Sequence, residues 1–302
     1  FSGLSLLRFA AAGSRTMQQT GAFMAAQPPG RRYAAMSGGS HAVGLVLNYG
    51  VVTLLGPMIG GLRGPGADSL REGLALAVMR GFSTTFLWSP LTLSFGIVTS
   101  VVAGIDPLAM MATGAGCAVL VLVLGWALDR RRPRGPDENG ESAPTAPGPV
   151  LWRLLGIILS LMAVVAALHI ALDVPLIVGV ILGAPLYAGG WLSLLEGSAG
   201  RGARALGEAV AQEAAMDGRT VAVLGAAALM GTLIGGLVPD ATVRAVLTGG
   251  WLPAALVPAV LMAVVFMLGT AGANPLLSVM LLIGVIPDPA AFGIRPEALG
   301  LA

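Results

Sequence analysis

Three short polar stretches stand inside otherwise apolar sequence, and they hold the side chains best suited to chemistry. The first is Leu47-Asn48-Tyr49-Gly50 with Thr53. An Asn offers an acceptor and two donors without charge. It can coordinate a cation through its carbonyl, hydrogen-bond a carboxylate through its amide, or cap the backbone of its own turn. The second stretch runs from Gly81 to Thr92 and carries five hydroxyls, on Ser83, Thr84, Thr85, Ser89 and Thr92, beside Pro90. Proline removes a backbone donor and interrupts a helix, so this region predicts a broken helix lined with hydroxyls. The alternative is that the hydroxyls bond back to their own helix. The third stretch, Gly269 to Ser278, combines Gly269, Gly272, Asn274, Pro275 and Ser278. A helix opening after Pro275 would direct its partial positive end at the break.

The ionisable residues narrow the chemistry further. The apolar runs at 33–62, 81–105, 107–128, 154–172, 174–195, 220–239 and 245–287 contain no Asp, Glu or Arg. Buried acids are the usual proton relays of pumps and carriers, so a relay here would have to pass through His41. The other histidine, His169, stands near a helix end beside Asp173 and reads as structural. One cysteine, Cys117, excludes a disulfide within the chain and any CxxC metal site. No resident metal, catalytic residue or organic cofactor is expected.

These residues sit in a chain that composition places in a lipid bilayer. Of its 302 residues, 56% are hydrophobic and 11% charged, against roughly 25% charged in a soluble domain. Mean hydropathy is +0.85. The fold class expected is an all-α polytopic membrane protein of the bacterial inner membrane, with lipids as its surroundings and no nucleic acid partner. Every one of the 17 basic residues is Arg, gathered in a few clusters. The sequence begins at Phe1 inside an apolar stretch and reads as a piece of a longer protein.

A helical span needs about 20 residues, so the run 245–287 must hold two elements, parted at Gly269–Gly272. Asp173 with Pro175 marks a tight helical hairpin, and Asp106-Pro107 a second tight turn. Polar segments at 13–32, 63–80 and 196–219 lie between the runs; the last has charges at helical spacing and suits an amphipathic surface helix. Residues 129–149 are rich in Pro, Gly and charge and predict a cytoplasmic loop. It divides the chain into a first half, 1–128, and a second half, 150–302. If 33–62 crosses the membrane once, the Arg residues are split between both sides. If it enters and returns, fourteen of the seventeen share one side, as the positive-inside rule favours. The run 33–62 is therefore expected to be a re-entrant hairpin with its tip at Asn48, surrounded by protein or water at that depth.

This order of a surface helix, a hairpin with Asn48 at its tip and an element broken near Ser89-Pro90 resembles the ion transporter superfamily of arsenite, sodium/proton and dicarboxylate carriers. The resemblance implies two repeat-like halves, each with a re-entrant hairpin and a broken helix. In it, 13–35 matches the surface helix, 36–62 the first hairpin and 81–105 the discontinuous helix. In the second half, 196–219 matches the surface helix and 269–287 part of a broken element. The Ser-Asn-Thr tip motif of dicarboxylate members is replaced by Leu47-Asn48-Tyr49.

The expected function is secondary transport of a small solute or anion by alternating access. Its site would draw on Asn48, Thr53, Ser83, Thr84, Thr85, Ser89, Asn274 and Ser278, with Na⁺ as a coupling ion and His41 as the one route for a proton. Assembly as a homo-oligomer is left open by the sequence. A membrane-embedded lipid-modifying enzyme is the rival from another class. It would need a His/Asp pair near the interface or clustered carboxylates such as Asp68 with Glu72, or Glu208, Glu213 and Asp217, the last three of which read better as a solvated helix face. A channel or assembly subunit is the third reading.

Overall fold

A computed structural model describes residues 6–7, 9–11, 14–28, 31–48, 50–61, 67–131, 148–237, 239, 253–271, 290 and 293–301. Every regular element among them is helical. The chain divides into two compact units. One comprises Phe1–Thr92 with Ala115–Ala214, the other Leu93–Gly114 with Ala215–Ala302.

In the first unit, α1 is Arg15–Ala25. Met17, Thr20, Gly21 and Met24 are buried along one stripe, while Arg15, Gln18, Gln19 and Ala22 stay exposed, the spacing of an amphipathic helix. Next come α2, Arg32–Leu47, of 16 residues, and α3, Gly50–Gly60, of 11. The run 33–62 is thus interrupted at Asn48, where the sequence places its tip, and neither helix alone reaches the length of a span. Helix α4 follows as Ala67–Ser83. It carries residues 67–80 of the polar segment straight into the run that starts at residue 81, since charged residues do not interrupt helical hydrogen bonding.

α4 and α2 meet at close range. A Cβ on Gly81 would stand 2.0 Å from the Ser37 carbonyl oxygen and 2.1 Å from Ser40 Oγ. Small residues let helix backbones approach in this way. Ser40 uses the approach, its hydroxyl lying 3.0 Å from the Ser37 carbonyl and 3.1 Å from that of Val78 across the interface. Met17, Met36, Val43, Val51, Leu55 and Ala77 fill the core around these helices, all fully buried.

Three helices are long and apolar enough to cross a membrane among the described residues: Pro107–Arg130, Leu151–Leu172 and Leu176–Glu196. The first is α6. The second is the body of α7, Gly148–Leu172, and the third is α8. Their outer faces carry bare apolar side chains such as Leu120, Leu159, Ile170 and Leu194, the last 83% exposed. Water disfavours such a surface and hydrocarbon accommodates it.

α7 and α8 form the hairpin expected at Asp173 and Pro175. Asp173 takes a left-handed φ of 48°, and His169 Nδ1 lies 2.6 Å from the Val174 carbonyl, tying the turn together. Gly179 and Gly183, one turn apart on α8, face Val165 of α7; a Cβ on Gly179 would be 3.0 Å from the Val165 carbonyl oxygen. Tyr187 reaches across to Ser160, 2.7 Å between the hydroxyl oxygens.

Helix α9 runs as one piece from Ala199 to Leu237, 39 residues. The expected separation of a surface helix at 196–219 from a span at 220–239 is therefore not found. No Gly-Pro or Asn-Pro signal stands near 219, and the helix passes through. Its start packs on α8, with Gly202 and Ala209 buried on that side.

The second unit holds α5, Leu93–Val101, of nine residues. The stretch 81–105 is thus no continuous span. It comprises the end of α4, a 3-10 turn at Thr84–Leu87, an irregular passage at 88–92, and α5. The expected turn at Asp106-Pro107 is present: Gly104 has φ 78°, and the Asp106 carboxylate caps α6 by accepting from the Leu108 amide at 3.0 Å. Helix α10, Val257–Thr270, ends at the predicted Gly269–Gly272 break. A short α11, Pro296–Leu301, sets Gly300 against Val98, Ile105 and Met110.

Candidate functional site

Asn48 ends α2 with φ 51° and ψ −127°, a backbone region that glycine occupies easily and other residues rarely. Its amide donates to the Gly44 carbonyl at 2.8 Å, and its own carbonyl accepts from Val51 at 3.2 Å. Its side-chain Oδ1 is buried without a hydrogen-bond partner, and it is alone in this among the described side chains. A buried acceptor without a donor costs about 1–3 kcal/mol. The turn at Asn48 therefore combines an uncommon backbone conformation with an unmet lone pair.

Thr53 stands apart from this. It is exposed on α3, and its hydroxyl donates to the Gly50 carbonyl at 2.9 Å. The hydroxyls of the second stretch also turn mostly onto their own backbone. Ser83 donates to Arg80 at 3.1 Å on the surface. Thr84 donates to Gly81, and Thr85 to Phe82, each at 2.7 Å and buried. Thr92 donates to the Ser89 carbonyl at 2.8 Å, while Ser89 Oγ accepts from the Leu91 amide at 3.3 Å. Bonds to the residue three positions earlier are what a 3-10 turn offers a hydroxyl. Each oxygen keeps lone-pair capacity as an acceptor.

His41 ties the second stretch to α2, the helix that ends at Asn48. Trp88 Nε1–H donates to His41 Nε2 at 3.3 Å, and the ring planes lie 22° apart. An indole nitrogen only donates, so Nε2 is the acceptor and the imidazole proton sits on Nδ1. That nitrogen lies 2.8 Å from Thr84 Oγ1 and 3.3 Å from the Gly81 carbonyl. The Thr84 hydroxyl in turn donates to the Gly81 carbonyl, so the chain of bonds closes with every donor used. The network pins the irregular passage 88–92 to α2. Gly44 lies one turn before Asn48, and a Cβ there would stand 3.4 Å from Thr85 Cγ2 and 3.1 Å from Phe82 Cδ2. The structure thus brings His41, Thr84 and Trp88 into direct contact and sets the Thr85 methyl beside Gly44, the residue one turn before Asn48.

Asn274 and Ser278 lie outside the described residues. Among the described residues, no three His, Cys, Asp or Glu side chains gather where they could hold a metal ion. Trp88 is the member of this site that sequence reasoning missed. Its signal was an indole N–H inside a broken apolar stretch, where such a group needs an acceptor. No protein-family model matches this chain, and neither a curated protein nor a solved structure is similar to it.

Proposed function

We propose that the chain is a polytopic secondary transporter that moves a small solute or anion by alternating access, with Na⁺ as its coupling ion. In this reading α2 and α3 are the two arms of a re-entrant hairpin, and the passage 84–92 is the broken helix that faces its tip. The architectural resemblance to the ion transporter superfamily belongs to the same proposal, as do roles for Asn274 and Ser278.

The observation that carries the reading is the buried, unpartnered Oδ1 of Asn48. A lone pair without a donor suits a cation, and it favours the carbonyl of Asn48 over its amide as the working group. Broken helices near the midplane supply carbonyl and hydroxyl oxygens to Na⁺ in several carrier folds. Thr84 and Thr85 are buried, neutral oxygen donors within a turn of the hairpin arm. A Na⁺ ion would relieve the unmet acceptor without any carboxylate.

The test is ²²Na⁺ uptake by reconstituted protein, paired with melting in NaCl and in KCl of equal ionic strength. Uptake should saturate, and NaCl should raise the melting temperature above that in KCl. Asn48→Gly should abolish both effects while the protein stays folded. An equal sodium response in Asn48→Gly would overturn the site. Uptake linear in concentration would replace the carrier with a channel.

A further inference from the structure

Among the described residues, one polar contact ties the irregular passage 88–92 to the helix beside it. Trp88 Nε1–H donates to His41 Nε2 on α2 at 3.3 Å. The other hydrogen bonds of Trp88, Ser89 and Leu91 stay within 85–92: the Trp88 and Ser89 amides donate to the Thr85 carbonyl at 3.4 and 3.0 Å, and the Leu91 amide donates to Ser89 Oγ. The Trp88 bond needs a bare lone pair on Nε2, and an imidazole supplies one only while neutral. Both rings are half-buried, so the imidazole is not sealed from solvent protons. No charged group among the described residues faces it. Helix α3 and the 3-10 turn at Thr84–Leu87 hold no titratable side chain. On α4, the Arg80 guanidinium goes to Tyr33, about two turns before His41 on α2, and Asp68, Arg71 and Glu72 stand more than two turns before Gly81. On α2 itself, Arg32 donates to the Gln27 carbonyl. Helix α1 carries Arg15, which is exposed; α7 carries Arg153, also exposed, and His169, held by the Val174 carbonyl.

We infer that His41 is an acid-released latch on the passage 88–92. With the imidazole neutral, Nδ1–H faces Thr84 Oγ1 at 2.8 Å, Nε2 accepts from Trp88, and the passage is held against α2. Uptake of one proton from solvent at Nε2 turns that acceptor into a second donor. Two N–H groups then face each other where one bond of 3.3 Å stood, and the Trp88 side chain withdraws. The Thr84 contact survives, because Nδ1 keeps its proton. The 3-10 turn therefore stays in place, and only the passage beyond it is freed. The latch follows from the hydrogen bonds alone and holds whatever ion or solute the protein moves.

The experiment uses the full chain in nanodiscs, with ¹⁵N in its five tryptophan indoles. A sodium-free buffer keeps the result separate from the reading of Asn48. Trp88 is identified as the indole N–H signal missing from Trp88→Phe. Between about pH 8 and pH 5, where histidine titrates, that signal should shift along one titration curve while the other indoles stay still. Backbone hydrogen exchange in 88–92 should quicken over the same range by about 2- to 10-fold beyond its intrinsic change with pH, the effect of one net hydrogen bond on an opening equilibrium. In His41→Gln, which takes up no proton there, both effects should vanish. Trp88→Phe should exchange at the faster rate at every pH. If His41→Gln fails to fold, Trp88→Phe decides alone. A Trp88 signal that does not titrate, a titration that survives in His41→Gln, or a passage that still quickens with acid in Trp88→Phe would overturn the inference.

Discussion

Replacing Asn48 by glycine should make the protein more stable, although it deletes a partly buried polar side chain at the proposed site. Two liabilities meet at this residue. Its φ of 51° with ψ −127° is a conformation that costs a residue with a Cβ about 1–3 kcal/mol. Its buried Oδ1 has no donor, a further cost of about 1–3 kcal/mol. Glycine removes both. Against this stand about 0.5–1 kcal/mol for the greater freedom of glycine in the unfolded chain and about 0.8 kcal/mol for one lost methylene. The middle of each range leaves a net gain of about 2 kcal/mol. At roughly 2–4 °C per kcal/mol for a large domain, the melting temperature in sodium-free detergent should rise by about 4–8 °C. Asn48→Ala separates the two terms, because it removes the oxygen and keeps the Cβ; it should melt below Asn48→Gly by several degrees. Circular-dichroism melts of the three proteins are sufficient. A glycine variant that melts below the parent, or an alanine variant that melts with it, would refute the reasoning.

Two further outcomes follow from the helix interface and the histidine network. Gly81→Ala should destabilise by at least about 2 kcal/mol, since its Cβ would meet the Ser37 backbone oxygen. Gly38→Ala, with nothing within 4 Å, should instead stabilise α2 by about 0.5–1 kcal/mol; denaturant melts give both signs. In a double-mutant cycle, His41→Ala and Trp88→Phe should show a coupling of about 0.5–1.5 kcal/mol, and additive effects would deny the bond between them.

The breaks in this chain were legible because local chemistry marks them. Asn48, Ser89-Pro90, Asp106-Pro107, Asp173 with Pro175 and Gly269–Gly272 all fall where helices end. Helix continuity was harder to see. Dividing the chain at charged residues separated 63–80 from 81–105 and 196–219 from 220–239, yet Arg80 and Arg219 both lie inside uninterrupted helices. A charge changes where a helix sits, and leaves its backbone hydrogen bonds intact. The hydroxyl cluster was found, but composition says nothing about where an O–H points. Thr84 and Thr85 face backbone carbonyls because the 3-10 turn brings those carbonyls within reach. The α7–α8 interface was missed although Gly179 and Gly183 have the four-residue spacing of close-packed membrane helices.

The three residues between α7 and α8 also constrain how this part of the protein is made. Residues 173–175 extend to about 10 Å at most, against a hydrocarbon core about 30 Å thick. So short a turn gives the two helix ends no room to part, and α7 and α8 can only run side by side as antiparallel neighbours. Gly179 and Gly183 meet Val165 inside that hairpin, a contact between segments close in sequence whose loop costs little entropy to close, so it is expected to form ahead of contacts that join distant parts of the chain.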